Sequence, residues 1–304
     1  MDNLDIIENL KADLPDTIAV IGYGSGIYKQ TGYTKDEKPD KDVIVVAEDF
    51  KDFLIADYEK NPDHFSEDFD KRILSNKKDK EKFYSNVGCL KFYHDGIHFK
   101  AMVISKGALA EDLKTWKYFG MAGRLTKPIL YRNIPEDLEE AINRNRDSIL
   151  ITALLLQNSD FLSTNELYNT ISKLTYMYDF RTILPGEKKS KSSDIVNGAF
   201  DFFDSTYGQS HIITVHDDII NNPHPIKLIN TLPENLKNYI IKRFDIDEHI
   251  SAADLQNLSQ IINNYFRKTN FPNSIRLALS SGTTLGKKET IKHGLSKVKR
   301  HFQK

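Results

Sequence analysis

The chain has a single cysteine in 304 residues, Cys89. That excludes an internal disulfide and a cysteine-based zinc site. Its nine histidines show no metal-ligand spacing. Long apolar runs are missing: none approaches the roughly 20 residues of a membrane span. An excess of one charge is missing too. The 42 Lys and Arg residues offset 43 Asp and Glu, leaving a net charge of −1, so no global field draws the chain to nucleic acid. The start, Met1-Asp-Asn-Leu-Asp5, is acidic and lacks an apolar segment. It predicts neither a secretion signal nor an Arg-rich transit peptide. There is no Gly-x4-Gly-Lys-Ser/Thr loop, and Gly22, Gly24 and Gly26 crowd too closely for a dinucleotide fingerprint. A composition of 39% hydrophobic and 28% charged residues predicts a soluble protein, and the lone cysteine fits a reducing cytoplasm.

What is present centres on Ile18-Ala-Val-Ile-Gly-Tyr-Gly-Ser-Gly26, followed by Asp42-Val-Ile-Val-Val46. The first stretch is a β-branched run that stops in glycine. Such a turn lets the backbone bend and points N–H groups outward, a site for phosphate oxygens. A carboxylate at the mouth of the neighbouring strand suits Mg²⁺, which takes one or two carboxylates plus substrate phosphates. Strand, Gly-Ser-Gly turn, spacer and strand-borne aspartate resemble the polymerase-β-like nucleotidyltransferase superfold. Such enzymes transfer a nucleoside monophosphate from a nucleoside triphosphate.

Along the chain, residues 2–13 predict a short helix with Leu4, Ile7 and Leu10 on one face. Asp49 to Asp57 predicts another. Residues 89–93 and 97–104 read as strands joined at Asp95-Gly96, a hairpin dipeptide. Helices are expected over 108–118, 135–157 and 193–207, and from the capping box Ser163-Thr-Asn-Glu166 to Leu174. Residues 208–232 read as a connection. Three helices are expected after it, the last from about Lys287 to Phe302. The fold expectation is α+β: a nucleotidyltransferase domain over 1–130, a helical winged-helix-like domain over 131–240, and a C-terminal helical region over 241–304.

An ordered set of motifs resembles the mitochondrial-type CDP-diacylglycerol synthases, the phosphatidate cytidylyltransferases, and their bacterial relatives. It comprises Tyr23-Gly-Ser-Gly26 with Gln30, Asp42, Asn61-Pro-Asp-His-Phe-Ser66, Lys100 before Val103-Ile-Ser105, and Trp116. It continues with Ala122-Gly-Arg-Leu125, Lys127-Pro128, Asn145, Leu174-Thr-Tyr176, Asp179-Phe-Arg181, Gly186-Glu187 with Lys189 and Lys191, and Ser274-Ile-Arg276. The chain departs from the family pattern at Phe53-Leu54, where Trp-His is usual, and at Asp57, where Asn is usual. The resemblance implies a reaction of CTP with phosphatidic acid that gives CDP-diacylglycerol and pyrophosphate with Mg²⁺.

The acceptor in that reaction is a phosphate monoester, already anionic at neutral pH because its second pKa is about 6. No strong base is needed; the difficulty is bringing two anions together. The candidate residues suit that task. Asp42 is the expected Mg²⁺ ligand, with Asp40 two residues earlier on the same side of an extended strand. Gly24, Ser25 and Gly26, with Gln30, are expected to hold the triphosphate. Lys100 sits in an apolar strand, where an amine is costly unless it meets an anion or water. Arg124 and Lys127 resemble a phosphate clamp. Asp179, Arg181, Glu187 and Lys189 either close the CTP pocket or form a structural ion-pair network. His64, with Asn61 and Ser66, is either a turn-capping set or part of the acceptor pocket.

The last stretch places Ile291, Leu295, Val298 and Phe302 on one helical stripe, with Lys288, Lys292, Lys299 and further basic residues around it. It is either a helix docked on its own domain or a basic amphipathic helix on an anionic membrane surface. A lipid acceptor favours the second. The expected location is therefore peripheral, on the inner face of the cell membrane, or on the matrix side of the inner membrane in a mitochondrion. Two other readings remain open: a nucleotidyltransferase of the same fold with another acceptor, and a non-enzymatic winged-helix nucleic-acid-binding protein.

Overall fold

The β-branched runs form the strands of one mixed sheet. The computed structural model describes residues 2–28, 40–65, 67, 69, 86–157, 159, 161–182, 190–221, 228–244 and 252–285. Helix α1 (Asn3–Asp13) begins at Asp2, whose side chain accepts from the N–H groups of Leu4 and Asp5. It leads into β1 (Thr17–Tyr23). Next come β2 (Lys41–Ala47) and α2 (Phe50–Lys60), the latter capped by Asp49. Strands β3 (Val87–His94) and β4 (Ile97–Ser105) form the expected hairpin. Its turn residues Asp95 and Gly96 have φ of 50° and 73°, the left-handed pair that a two-residue hairpin turn demands. With β5 (Ile129–Leu130), the sheet order is β3-β4-β2-β1-β5. Only the β2–β4 pair among these is parallel.

Side chains alternate across this sheet. Val43, Val45, Phe99, Val103 and Phe92 face α1 and α2 in one apolar cluster. Ala19, Ile21, Ile44, Val46, Cys89, Met102 and Ile104 face the other way. That second cluster continues without a break into the helices of the second half. They are α3 (Lys106–Thr115), α4 (Glu136–Gln157), α5 (Thr164–Leu174), α6 (Lys191–Gly198), α8 (Glu234–Phe244) and α9 (Ala252–Leu285).

Several local expectations change. The helix expected through Tyr118 stops at Thr115, because Trp116 turns left-handed at φ 54°. The single helix expected over 193–207 breaks at Ala199, φ −142°, after Gly198. The short α7 (Phe200–Phe203) and a π turn over Asp204–Gly208 follow. The expected connection over 208–232 contains strands β7 (Thr214–His216) and β8 (Ile219–Asn221). They join β6 (Phe161–Ser163) in a three-stranded sheet. The capping box at Ser163 and Glu166 forms as expected. The helix expected from Lys287 to Phe302 lies outside the described residues. No helix among them is long and apolar enough to cross a membrane.

Candidate active site

The Gly24 turn closes on itself. The N–H groups of Ile27 and Tyr28 both donate to the Gly24 carbonyl, at 3.1 and 3.0 Å. Neighbours then pin it. Lys41 Nζ donates to the Gly26 carbonyl (2.9 Å) and to Asn3 Oδ1 (2.7 Å), and Asn3 Nδ2 donates to the Ile27 carbonyl (2.7 Å). The Tyr28 hydroxyl donates to the Ile129 carbonyl. Two glycines are obligatory for steric reasons. Gly24 has φ 76°, and a Cβ there would lie 2.9 Å from Asp42 Oδ2. A Cβ on Gly26 would lie 2.2 Å from the Asp40 carbonyl oxygen. The turn is therefore folded directly over the carboxylate at the mouth of β2.

On the sheet beneath it runs a polar row. Tyr23, Asp42, Lys100 and Lys91 are successive register partners across β1, β2, β4 and β3. All four share the face of Ile44 and Met102, since residues two apart on a strand point the same way. Burial raises the Asp42 pKa above the usual carboxylate range, and Asp40 adds to the rise; the charges of Lys100, Arg124 and Lys191 oppose it. Burial, with Asp42 adding to it, likewise pushes the Tyr23 phenol up, and Arg124 hydrogen-bonds to it.

Arg124 reaches this row from the loop after α3, which also carries Lys127. The buried Asp112 carboxylate folds that loop by accepting from the N–H groups of Met121 (2.7 Å) and Ala122 (3.0 Å). Asn145 on α4 accepts from Trp116 Nε1 (2.7 Å) and donates to the Ala122 carbonyl (3.0 Å). Tyr265 on α9 donates to the Trp116 carbonyl (2.7 Å), and Tyr207 donates to that of Thr126. Arg124 also donates to the Gly120 carbonyl.

Lys127 points to the second half of the chain. Its Nζ lies 3.1 Å from the Tyr176 hydroxyl and 4.3 Å from that ring's centroid. Lys191, the first residue of α6, holds its Nζ 4.8 Å from the same ring. Burial lowers the Lys127 pKa; Tyr176 counters this, while Lys191 and Arg124 reinforce it.

The structure thus gathers Gly24, Asp42, Lys100, Arg124 and Lys127, with Asp40 on the edge. It adds three residues absent from the expected site: Tyr23, Tyr176 and Lys191. All three stand in the motifs quoted above, and that was the signal available. Asp179 is buried in the turn after Tyr176, to whose carbonyl its N–H donates at 3.2 Å. Arg181 lies one residue beyond Phe180, in a short 3-10 turn. His64 is not with this group. It is buried on the opposite face, stacked on Phe92 at 3.8 Å, with Nδ1 3.1 Å from both oxygens of buried Asp57. Asn61 Nδ2 also donates to Asp57, at 2.9 Å. His64 and Asn61 thus both bind the Asp57 side chain, and Asn61 makes no side-chain cap bond to the turn Pro62–His64. Gln30, Ser66, Glu187, Lys189 and the stripe from Lys288 to Phe302 lie outside the described residues.

A buried carboxylate under a glycine turn, faced by cations from three segments, is an arrangement for a polyanion. A profile of the family described as "Phosphatidate cytidylyltransferase, mitochondrial" matches residues 5–300. The chain belongs to that family. Members of the family are nucleotidyltransferases. Curated relatives carry the same name. One from Caenorhabditis briggsae is 34% identical over 206 residues, covering 65% of this chain and 62% of the relative. One from Mus musculus is 26% identical over 328 residues, covering 98% and 94%. Among solved structures, a nucleotidyltransferase-like protein from Exiguobacterium sibiricum aligns over 92% of this chain and 76% of that one. The identity is 10% and the TM-score 0.25, too low to bear on the fold.

Proposed function

We propose that this chain is a CTP:phosphatidate cytidylyltransferase acting at a membrane surface. The observation that carries the reading is the Asp42 carboxylate, packed under Gly24 and facing Lys100, Arg124 and Lys191. The family's name supplies the reaction class. The first-half sheet serves as the nucleotidyltransferase domain. Helices α5 and α6 with the β6-β8-β7 sheet serve as the winged-helix-like part.

In this reading the N–H groups and hydroxyl of the Gly24-Ser25-Gly26 turn take the triphosphate. Lys100, Arg124, Lys127 and Lys191 neutralise it. A phosphatidate oxygen forms the new bond to the α-phosphorus, and the bond from that phosphorus to the β-phosphate oxygen breaks. Pyrophosphate leaves with the electron pair. The acceptor arrives as an anion, so the chain supplies alignment and positive charge rather than a base.

The donor set fits a hard divalent cation. Among the described residues no group of three or more His, Cys, Asp or Glu is placed to hold a metal ion. Mg²⁺ needs only one or two carboxylates when nucleotide phosphates supply the rest. Asp42, with Asp40 beside it, would hold the ion. When bound, it offsets triphosphate charge and stabilises the leaving pyrophosphate. The test is Asp42→Asn. The amide is nearly isosteric and removes a buried charge, so the variant should fold at least as stably as wild type yet lose turnover with CTP. A folded variant with wild-type turnover would refute the site.

A further inference from the structure

Beside the row through Asp42 lies a second cross-strand pair, Asp40 with His98. Asp40 immediately precedes β2, and His98 is the second residue of β4. His98 Nδ1 lies 2.8 Å from Asp40 Oδ1. An ionised carboxylate only accepts hydrogen bonds, so Nδ1 carries the proton and donates it. The other neighbour of the imidazole is Tyr93, its register partner on β3, with ring centroids 4.7 Å apart. His98 is thus fixed from two sides.

The pair sits one pleat away from Asp42 and Lys100 on the same face. Asp40 is close enough to Asp42 to act on its ionisation. Its backbone carbonyl touches Gly26, the last glycine of the phosphate turn. The pair is partly exposed, 45% for Asp40 and 28% for His98. Ion pairs that exposed contribute little to stability, so holding the fold does not account for it. His98 occupies one of about four acceptor positions of the carboxylate. Metal-binding carboxylates are commonly aimed by such an outer partner.

We infer that His98 is a positioning residue: it orients the Asp40 carboxylate so that Asp40 joins Asp42 in holding the divalent cation of the nucleotide complex. This deepens the cytidylyltransferase reading and rests on it. His98 touches neither substrate nor metal; it acts through Asp40.

The test is Mn²⁺ binding to the full chain with CTP and no lipid acceptor, read from the spin-resonance signal of free Mn²⁺. His98→Leu and Asp40→Asn should each weaken Mn²⁺ binding about tenfold. The double variant should be no weaker than either single one, because both changes remove the same unit. His98→Asn keeps an N–H donor and should recover part of the loss; it also serves if the leucine variant folds poorly. Wild-type Mn²⁺ affinity in His98→Leu and Asp40→Asn, with binding lost in Asp42→Asn, would overturn this inference and leave the parent reading intact. Additive losses in the double variant would overturn it as well. Undiminished binding in Asp42→Asn would instead bring down the metal site itself, and this inference with it.

Discussion

Asp42 and Lys100 are direct register partners across the parallel β2–β4 pair, and both lie on the face that the Gly24 turn covers. The proposed reading gives Lys100 a different duty from Ser25. Lys100 offers a full charge in a partly dry site, whereas Ser25 offers one neutral hydrogen bond. Ser25→Ala should therefore cost roughly 1 kcal/mol of transition-state stabilisation, and Lys100→Ala about 2–3 kcal/mol. Ratios of kcat/KM for CTP check this. A larger loss in Ser25→Ala would contradict the assignment.

Lys127 should make nucleotide binding depend on pH. Burial lowers its pKa. The ammonium is therefore lost as pH rises through a value below the ordinary lysine pKa of about 10.4. Linkage has a definite sign here. Below that lowered pKa the buried charge costs stability, and the cost is relieved as pH rises from it to the unfolded-state value of about 10.4. A bound triphosphate favours the charged form, so CTP binding on the alkaline side should take up a proton. Calorimetry in two buffers of different ionisation enthalpy measures the uptake. It should vanish in Lys127→Arg, whose charge does not titrate. Equal heats in both buffers for the wild type would rule the role out.

Asp112 holds the loop that carries Arg124 and Lys127. Asp112→Ala strands the N–H groups of Met121 and Ala122, each costing about 1–3 kcal/mol when left buried without an acceptor. The expected loss is at least about 2 kcal/mol in urea unfolding. Asp112→Asn, which keeps a carbonyl acceptor, should lose less. A change in Asp112→Ala of under about 0.5 kcal/mol, the size of a surface substitution, would show that the loop is held by other means.

The parts of the fold written in local chemistry were readable from sequence. The β-branched runs gave β1 and β2, Asp95-Gly96 gave the hairpin, and Ser163 with Glu166 gave the start of α5. The glycine turn and Asp42 were readable for the same reason. The rest depends on distant packing. Strands β6, β7 and β8 have three residues each, too few for an alternating pattern to stand out. The parallel pairing of β2 with β4 joins segments more than 50 residues apart. Lys191 lies 64 positions beyond Lys127, and the common contact with Tyr176 brings them together. Sequence spacing alone left two readings of His64. The partner that the structure shows, Asp57, is seven residues away and one of the departures from the family pattern; the two form a buried pair within the α1 and α2 layer.

The account's central claim is that this site transfers cytidylate to a lipid phosphate. Pyrophosphate release, measured with each of the four common nucleoside triphosphates, with and without vesicles containing phosphatidic acid, tests it most directly. The prediction is release with CTP and Mg²⁺ that requires the vesicles, is lost in Asp42→Asn, and yields CDP-diacylglycerol in equal amount. Release that ignores phosphatidic acid, or that prefers another nucleotide, would contradict it.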